Sequence, residues 1–538
     1  MPHAALLVAG GMLLGRASGF VRELMLAHYL GATAEADLAV FAIAIPDLLT
    51  GMLVGGAFGA VLIPEMHRAA RQQGEAAAAA LALRWTLLVA VVSLLAAAAL
   101  AIVAPWLVRL MAPGFEGAVL AEGIRLTRIA LLAFPLCTLA AVVSAALQAR
   151  QTVRMSSLGT VVFNAAVIAA IAGWYVPGSV AVVSWGVVAA AAARLLALLF
   201  DVRPAGLHRW KSDDLAQPGS AGPSAIGHQP SAIGGSGVFA RPGSAGASSF
   251  QSGSAGASPS QRGAMFRRYI AALTATGLTV VVPAVSLAFA SAATGGVATV
   301  NYAIKLVELP KGVFVALLTM VLFPRISALL AAGEEQAGRR LLGQGTRLVL
   351  IATLPLACCF AGCGEPFVRL IFGHGRLNVE QLRQLTLLAQ IGFASLPAVG
   401  LLTLAMSAFF ARQNTRIPLL AGIAAIAAHL GLSWMAMERW GLPGLMAALA
   451  ASSWLHCGLL WAALARREQI ALHEFWPAGP MLLTATIAAA AGGACWQFAR
   501  FVDNAWLQMA ATSLLFLAAV ALAWRVNRER TPTLGPTA

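Results

Sequence analysis

Charge is what this chain has least of. Asp, Glu, Lys and Arg together supply 11% of its 538 residues, where a soluble domain carries about a quarter. So few charges cannot cover a water-facing surface of this size, and a mean hydropathy of +0.81 excludes an ordinary soluble enzyme. Acids are scarcer still, 21 against 36 Lys and Arg, for a net charge of +15 at pH 7. A metal-binding acidic cluster, a nucleotide-binding P-loop, a Ser/His/Asp grouping and zinc-ligand spacing are all missing. We therefore expect no enzyme, no metal and no cofactor. Cysteines number six (Cys137, Cys358, Cys359, Cys363, Cys457 and Cys495), all in or beside apolar stretches. They read as small packed residues and imply no disulfide framework. The first residues also lack a basic start, a short apolar region and a small-residue cleavage site, so they read as a membrane span instead of a removable signal.

What is present is apolar length. Only stretches of about 20 apolar residues can span lipid with every backbone group paired internally. Windows of that size predict fourteen transmembrane helices, at 5–28, 36–64, 83–104, 125–149, 153–174, 179–200, 267–292, 297–331, 347–364, 384–411, 417–437, 441–465, 479–499 and 505–525. The fold class expected is an all-α integral membrane protein. In a soluble chain the positive charge would suggest nucleic acid, but its placement argues otherwise. Even-numbered loops, the central segment and the C-terminal tail hold 23 of the 36 Lys and Arg, and odd-numbered loops with their flanks hold eight. The positive-inside rule then puts both termini in the cytoplasm, which an even number of spans requires.

Residues 212–263 are Gly/Ser/Ala/Pro-rich and repeat PGSAG and GSAGAS, the composition of a disordered cytoplasmic linker. The linker separates two similar halves. With Pro135 set on Pro397, Leu139, Ala146, Ala149, Arg150, Gln151 and Arg154 coincide with Leu401, Ala408, Ala411, Arg412, Gln413 and Arg416. Four regions follow: an N-lobe of six helices (1–211), the linker, a C-lobe of six helices (264–465), and two extra helices with a tail (466–538). Six spans per half make the repeat parallel, an architecture common in transporters that place cargo between halves.

A charge at membrane depth costs at least about 2.5 kcal/mol and normally faces a cavity or a partner. Arg16, Arg22 and Glu23 lie in the first span, and Arg16 and Glu23, seven apart, share a stripe that Arg22 leaves. Asp37 opens the second span, either as a helix cap or as the counter-ion of a first-span arginine. Lys305, Glu308 and Lys311 drift along one face of the eighth span, where Pro310 is expected to kink it, and Lys305 can pair with Glu308. Cations from both halves would suit a phosphate or diphosphate. His429 and His456 lie within spans, either packed or relaying protons.

The segments GRASGFVRELMLAHYLGATAEADLAVFAIAIPDLL, GGAFGAVLIPEM, YAIKLVELPKGVFVALLTMVLFP, LIFGHGRLN and SAFFARQNTRIP resemble the MurJ (MviN) lipid II flippases of the multidrug/oligosaccharidyl-lipid/polysaccharide exporter superfamily. The resemblance implies transport of undecaprenyl-diphosphate-linked disaccharide pentapeptide across a bacterial inner membrane by alternating access. It implies that Arg16, Arg22 and Lys305 bind the diphosphate, with Glu23, Asp37 and Glu308 as exchange partners. It further implies coupling to membrane potential or a monovalent cation, and a monomer in contact with lipid II and membrane lipids. The chain departs from the family at Lys305, usually arginine, and at Thr50 and Gly55, and it has no acid in the seventh span. Alternatives are a flippase for another polyprenyl-linked glycan, a membrane enzyme acting on polyprenyl phosphates, and a drug/cation antiporter, which would want an anionic cavity.

Overall fold

The computed structural model describes residues 2–54, 57–150, 154–205, 281–318, 322–412, 414–468 and 478–529. The expected linker, most of the seventh span, Gly55 and the Thr50 side chain lie outside them. Every described element is a helix. In chain order these are α1 (Pro2–Leu30), α2 (Ala34–Val54), α3 (Ala57–Gln73), α4 (Glu75–Ile102), α5 (Ala104–Met111), α6 (Gly117–Ala130), α7 (Ala133–Ala149), α8 (Arg154–Trp174) and α9 (Ala181–Ala205). Then follow α10 (Val281–Ala290) and α11 (Gly296–Leu317), α12 (Phe323–Ala331), α13 (Glu335–Cys363), α14 (Glu365–Phe372), α15 (Val379–Phe393), α16 (Leu396–Ala411), α17 (Arg416–Glu468), α18 (Ala478–Phe501) and α19 (Ala505–Glu529). Nine helices among the described residues are long and apolar enough to cross a membrane.

Four expected spans are divided. The stretch 36–64 falls on α2 and α3, 125–149 on α6 and α7, 297–331 on α11 and α12, and 384–411 on α15 and α16. α11 runs through Pro310 as one helix, because the backbone N–H that proline lacks is only one of the helix's bonds. Conversely, 417–437 and 441–465 are two helices that meet directly at Gly441, with no intervening loop. Its φ of 59° and ψ of −142° turn the chain back on itself, a left-handed conformation that glycine adopts without a Cβ clash. His429 and Ser452, on the two arms of this hairpin, hydrogen-bond each other.

The helix boundaries repeat. α6–α7 break at 131–132 and α15–α16 at 394–395, and α2 and α11 start at 34 and 296. The offset of 262 that aligns Pro135 with Pro397 relates the helix starts, and relates the breaks to within one residue. One large buried cluster joins the halves, with Phe20 edge-on to Phe372 at 6.1 Å and Tyr302 fully buried. Smaller cores lie within each half, and Cys359, Cys363 and Cys495 fasten α13 to α18. Leucines and valines along α4, Leu83, Leu87, Leu94 and Val91 among them, point outward with more than half their surface exposed, as lipid-facing positions do.

Hydrogen bonds between the halves gather at one end of the bundle. The Asp37 carboxylate accepts from the N–H groups of Gly295 (2.6 Å) and Ala298 (2.8 Å) at the start of α11. The Tyr302 hydroxyl donates to the Gly31 carbonyl, and Gln381 donates to the Ala32 carbonyl. Arg376 N–H reaches the His28 carbonyl, and Gly114 N–H reaches Ser291 Oγ. All of these involve the odd-numbered loops or their flanks. That end is closed.

Candidate cargo-binding cavity

Behind the closed end lies a cavity of about 680 Å³, lined from both halves. Five cations face it: Arg16, Arg22, Arg194, Lys305 and Lys311. Two acids, Asp47 and Glu308, share the lining. The remaining wall is largely apolar, with Phe20, Val307 and Met406, while Thr160, Asn164 and Ser453 add hydrogen-bonding groups.

Arg22 is held hard. It is 5% exposed, its Nη2 donates to Glu23 Oε1 at 2.8 Å, and its Nη1 donates to Asn164 Oδ1 at 3.2 Å. The Asn164 amide donates in turn to the Gly15 carbonyl and Ser18 Oγ, locking α8 onto α1. The other Glu23 oxygen accepts from Asn301 of α11 at 2.7 Å. Sequence spacing put Glu23 on the Arg16 stripe, yet its partner is the adjacent Arg22. The two amides on either side fix the neighbouring pair, and long side chains override a helical-wheel angle.

Lys305 and Glu308 pair at 2.9 Å with about a third of each side chain accessible, and that surface opens onto the cavity. Arg16 is accessible to the same space and lies within electrostatic range of Glu308. Its guanidinium rests on Gly312 of α11, where any Cβ would collide with it. A side chain there would push the Arg16 guanidinium aside, and the flexible arginine stem allows that shift.

Asp37 departs from the expectation of a counter-ion to a first-span arginine. It is 2% exposed, outside the cavity, and caps α11 rather than its own helix, where Thr33 Oγ1 accepts from Ala36 N–H. The parallel repeat explains this: α2 and α11 start at the same end, and the free N–H groups and positive dipole of α11 attract the carboxylate. Glu23 also stands behind the main cavity, on a pocket of about 110 Å³ with Asn301. Arg16, Arg22, Lys305 and Glu308 are brought together, while Glu23 sits in the wall and Asp37 at the closure.

Sequence reasoning passed over Asp47, Arg194 and, as a site residue, Lys311. The signal was available. Setting aside the 23 basic residues of even loops, centre and tail and the eight of odd loops leaves five of 36, and these are the five cavity cations.

Comparison with known proteins agrees with this architecture. A family model described as "Lipid II flippase MurJ" matches residues 26–517. A probable lipid II flippase MurJ of Rhizobium meliloti (strain 1021) is 26% identical over 468 residues, covering 86% of this chain and 80% of the relative. The lipid II flippase MurJ of Burkholderia cenocepacia is 24% identical, covering 86% and 84%. A solved lipid II flippase MurJ in an inward closed conformation superposes with a TM-score of 0.73 at 13% identity, covering 97% of this chain and 99% of that one. An inward-facing multidrug resistance MATE family transporter of the MOP superfamily gives 0.62 at 11% identity, covering 88% and 99%. The chain belongs to the lipid II flippase MurJ family.

Proposed function

We propose that this protein is a lipid II flippase, a transporter and not an enzyme, which carries the undecaprenyl-diphosphate-linked precursor from the cytoplasmic to the outer leaflet. The observation that carries the reading is the set of five cations from both halves on one cavity, opposed by two acids. Such a chamber prefers a polyanion, because each like charge held out of bulk water raises the cost of the empty state. A drug or cation antiporter would need the opposite sign.

In our reading Arg16, Lys305 and the accessible face of Arg22 grip the diphosphate, with Arg194 and Lys311 adding field. Glu308 holds Lys305 while the cavity is empty and yields it to phosphate. The Arg22–Glu23–Asn301 link and the Asp37 cap join the halves at the closed end, and their release would open the cavity to the other side. The placement of basic residues supports fourteen crossings of the inner membrane, with both termini and the 212–263 linker cytoplasmic and N- and C-lobes at 1–211 and 264–465. The closed end then faces outward. Membrane potential favours outward movement of the anionic head group by about 2.3 kcal/mol per charge per 100 mV, and favours return of an empty cationic cavity. The protein would act as a monomer.

Expression in a bacterium depleted of its own lipid II flippase tests the reading. Restored growth, lost on Arg16→Ala, supports it. Failure of a correctly inserted protein to restore growth, with translocation of another polyprenyl-diphosphate glycan in vesicles, would move the assignment to that glycan.

A further inference from the structure

Two polar residues of the cavity wall hold the same place in the two halves. Arg194 of α9 and His456, on the second arm of α17, are separated by 262, the offset of the repeat. The burial pattern of the two helices repeats at that offset. Buried Val183, Ser184 and Leu198 fall on buried Leu445, Met446 and Leu460, and exposed Trp185 falls on exposed Ala447. Arg194 and His456 are both half-buried, and both line the cavity, one from each half. The diphosphate grip makes no use of His456 and takes only field from Arg194.

The other cavity cations have acids. Arg22 is paired with Glu23, and Arg16, Lys305 and Lys311 each lie within electrostatic range of Glu308. Arg194 and His456 have neither a hydrogen bond nor an ion pair among the described residues. The Arg194 Nε is walled off by Gly159, where an added Cβ would stand 3.2 Å from it, so the two Nη groups are left to the cavity. His456 buries Nε2 without a partner and leaves Nδ1 to the same space. With its proton on Nδ1 the neutral ring turns a donor to the cavity. An arginine at membrane depth with no counter-charge is costly, and such a residue normally faces a cavity or a charged cargo.

Helix contacts set the depth. α8 runs alongside α1, with Gly11, Gly15 and Gly19 against Ser157, Thr160 and Asn164. Arg194 meets α8 at Gly159, five residues before Asn164. At 1.5 Å per residue it lies about 7.5 Å further from the closed end than the amide that holds Arg22. The repeat puts His456 at the matching depth on the opposite wall, and the hydroxyl residues Thr160 and Ser453 stand beside the two on the lining. One guanidinium with free Nη groups, faced by a neutral ring, has too little charge for a diphosphate. It matches a single carboxylate: the fork takes both oxygens, and the ring N–H takes a further lone pair.

We infer that Arg194 and His456 form a second anion subsite, inward of the diphosphate grip, which binds a peptide carboxylate of the cargo. This rests on the flippase reading, in which the lipid carries a pentapeptide. Arg194 supplies a bidentate charge-assisted pair and His456 a neutral hydrogen bond, with no covalent step. The carrier then reads its cargo twice, the diphosphate at Arg16, Arg22 and Lys305 and the acid at Arg194. A lipid diphosphate that bears a neutral glycan fills only the first of these places.

The test measures binding of three lipids to full-length protein in nanodiscs: lipid II, lipid II with its peptide carboxylates converted to carboxamides, and undecaprenyl diphosphate. Native protein should hold the acid form about tenfold more tightly than the amide form, the effect of one charged hydrogen-bonded pair. Arg194→Gln should erase that preference, weakening the acid form about tenfold and the other two lipids by no more than about twofold, the loss of field alone. His456→Phe should weaken both peptide lipids about threefold, since a neutral N–H also serves a carboxamide oxygen. Lys305→Met should weaken all three alike. Equal affinity of native protein for the acid and amide forms overturns the subsite, and this comparison needs no variant to fold. A preference that survives Arg194→Gln overturns it too, as does an Arg194→Gln loss equal on all three lipids, which would place Arg194 in the diphosphate grip. Native protein that binds the three lipids alike leaves the flippase reading standing without the subsite, whereas native protein that binds none of them sinks both.

Discussion

The two halves share a skeleton and divide the chemistry. At the common offset, His429 of the second half falls on Val167 of the first, and both are completely buried. Asn164, which positions Arg22, falls on Ile426, while Lys305 and Lys311 fall on Ile43 and Leu49. Packing therefore tolerates an apolar residue at each place, and the polar residue in the other copy has a task beyond filling volume. The first half contributes Arg22, immobilised by an amide and an acid, and the second contributes Lys305, with about a third of its side-chain surface accessible. Planar, fully donating guanidinium suits the fixed side, whereas a point charge on a flexible stem suits the side that exchanges partners.

The harshest way to break this comparison is Arg22→Met. It leaves Glu23 buried beside Asn301 with its charge unanswered, and stranding one partner of a buried pair costs about 3–5 kcal/mol. We expect loss of complementation and a sharp fall in melting temperature. Arg22→Met with Glu23→Gln should recover most of the stability without recovering transport. If transport returned as well, Arg22 would be structural only.

Asp37→Ala comes next. It removes two charge-assisted bonds to the start of α11, worth about 1.5–3 kcal/mol each where fully made. The ratio of closed to open forms should drop by about two orders of magnitude or more, read as faster exchange at residues 295–298. Unchanged exchange there would place the closure elsewhere.

Lys305 gives a smaller effect. Lys305→Met removes an accessible point charge whose partner Glu308 can turn to Lys311 or to water, so about a tenfold weaker hold on a lipid diphosphate is expected, near 1.4 kcal/mol. Lys305→Arg should bind as tightly or better, since a fork matches phosphate oxygens. Equal losses in both variants would show that shape, not charge, is read at this position.

How much of this was legible beforehand follows the same division. Helix type and placement come through because lipid demands about 20 apolar residues per crossing, and Pro135/Pro397 with ArgGlnxxArg carried the repeat. Arg16, Arg22 and Lys305 stood out because charge inside an apolar run is costly. Arg194 did not, lying within a run of alanines and leucines whose apolar signal masked it. Partner choice was the least legible. Asp37 meets backbone N–H groups of a helix 258 residues away, and Glu23 meets Asn301, 278 away. Backbone donors carry no sequence mark, and only the fold says which helix start lies opposite a carboxylate.

The mildest contrast is between the turns that close corresponding helix pairs. In the first half, α8 and α9 are joined by residues 175–180, with Gly178 at φ 88° and Ser179 bonded to Val176. In the second half the reversal is compressed into Gly441, at φ 59°, where two helices meet. Nothing lies within reach of a Cβ at either glycine, so a side chain meets backbone strain alone. Gly178→Ala sits in a loop that can redistribute its dihedrals, whereas Gly441→Ala must strain one residue between two arms pinned by His429 and Ser452. Each substitution should cost about 1 kcal/mol, the left-handed penalty for an L-residue, with Gly441→Ala the larger of the two. Thermal denaturation in detergent checks the order. A larger loss at Gly178 would mean that the hairpin in the second half is the looser of the pair, and that its single-residue turn is not what holds His429 and Ser452 in register.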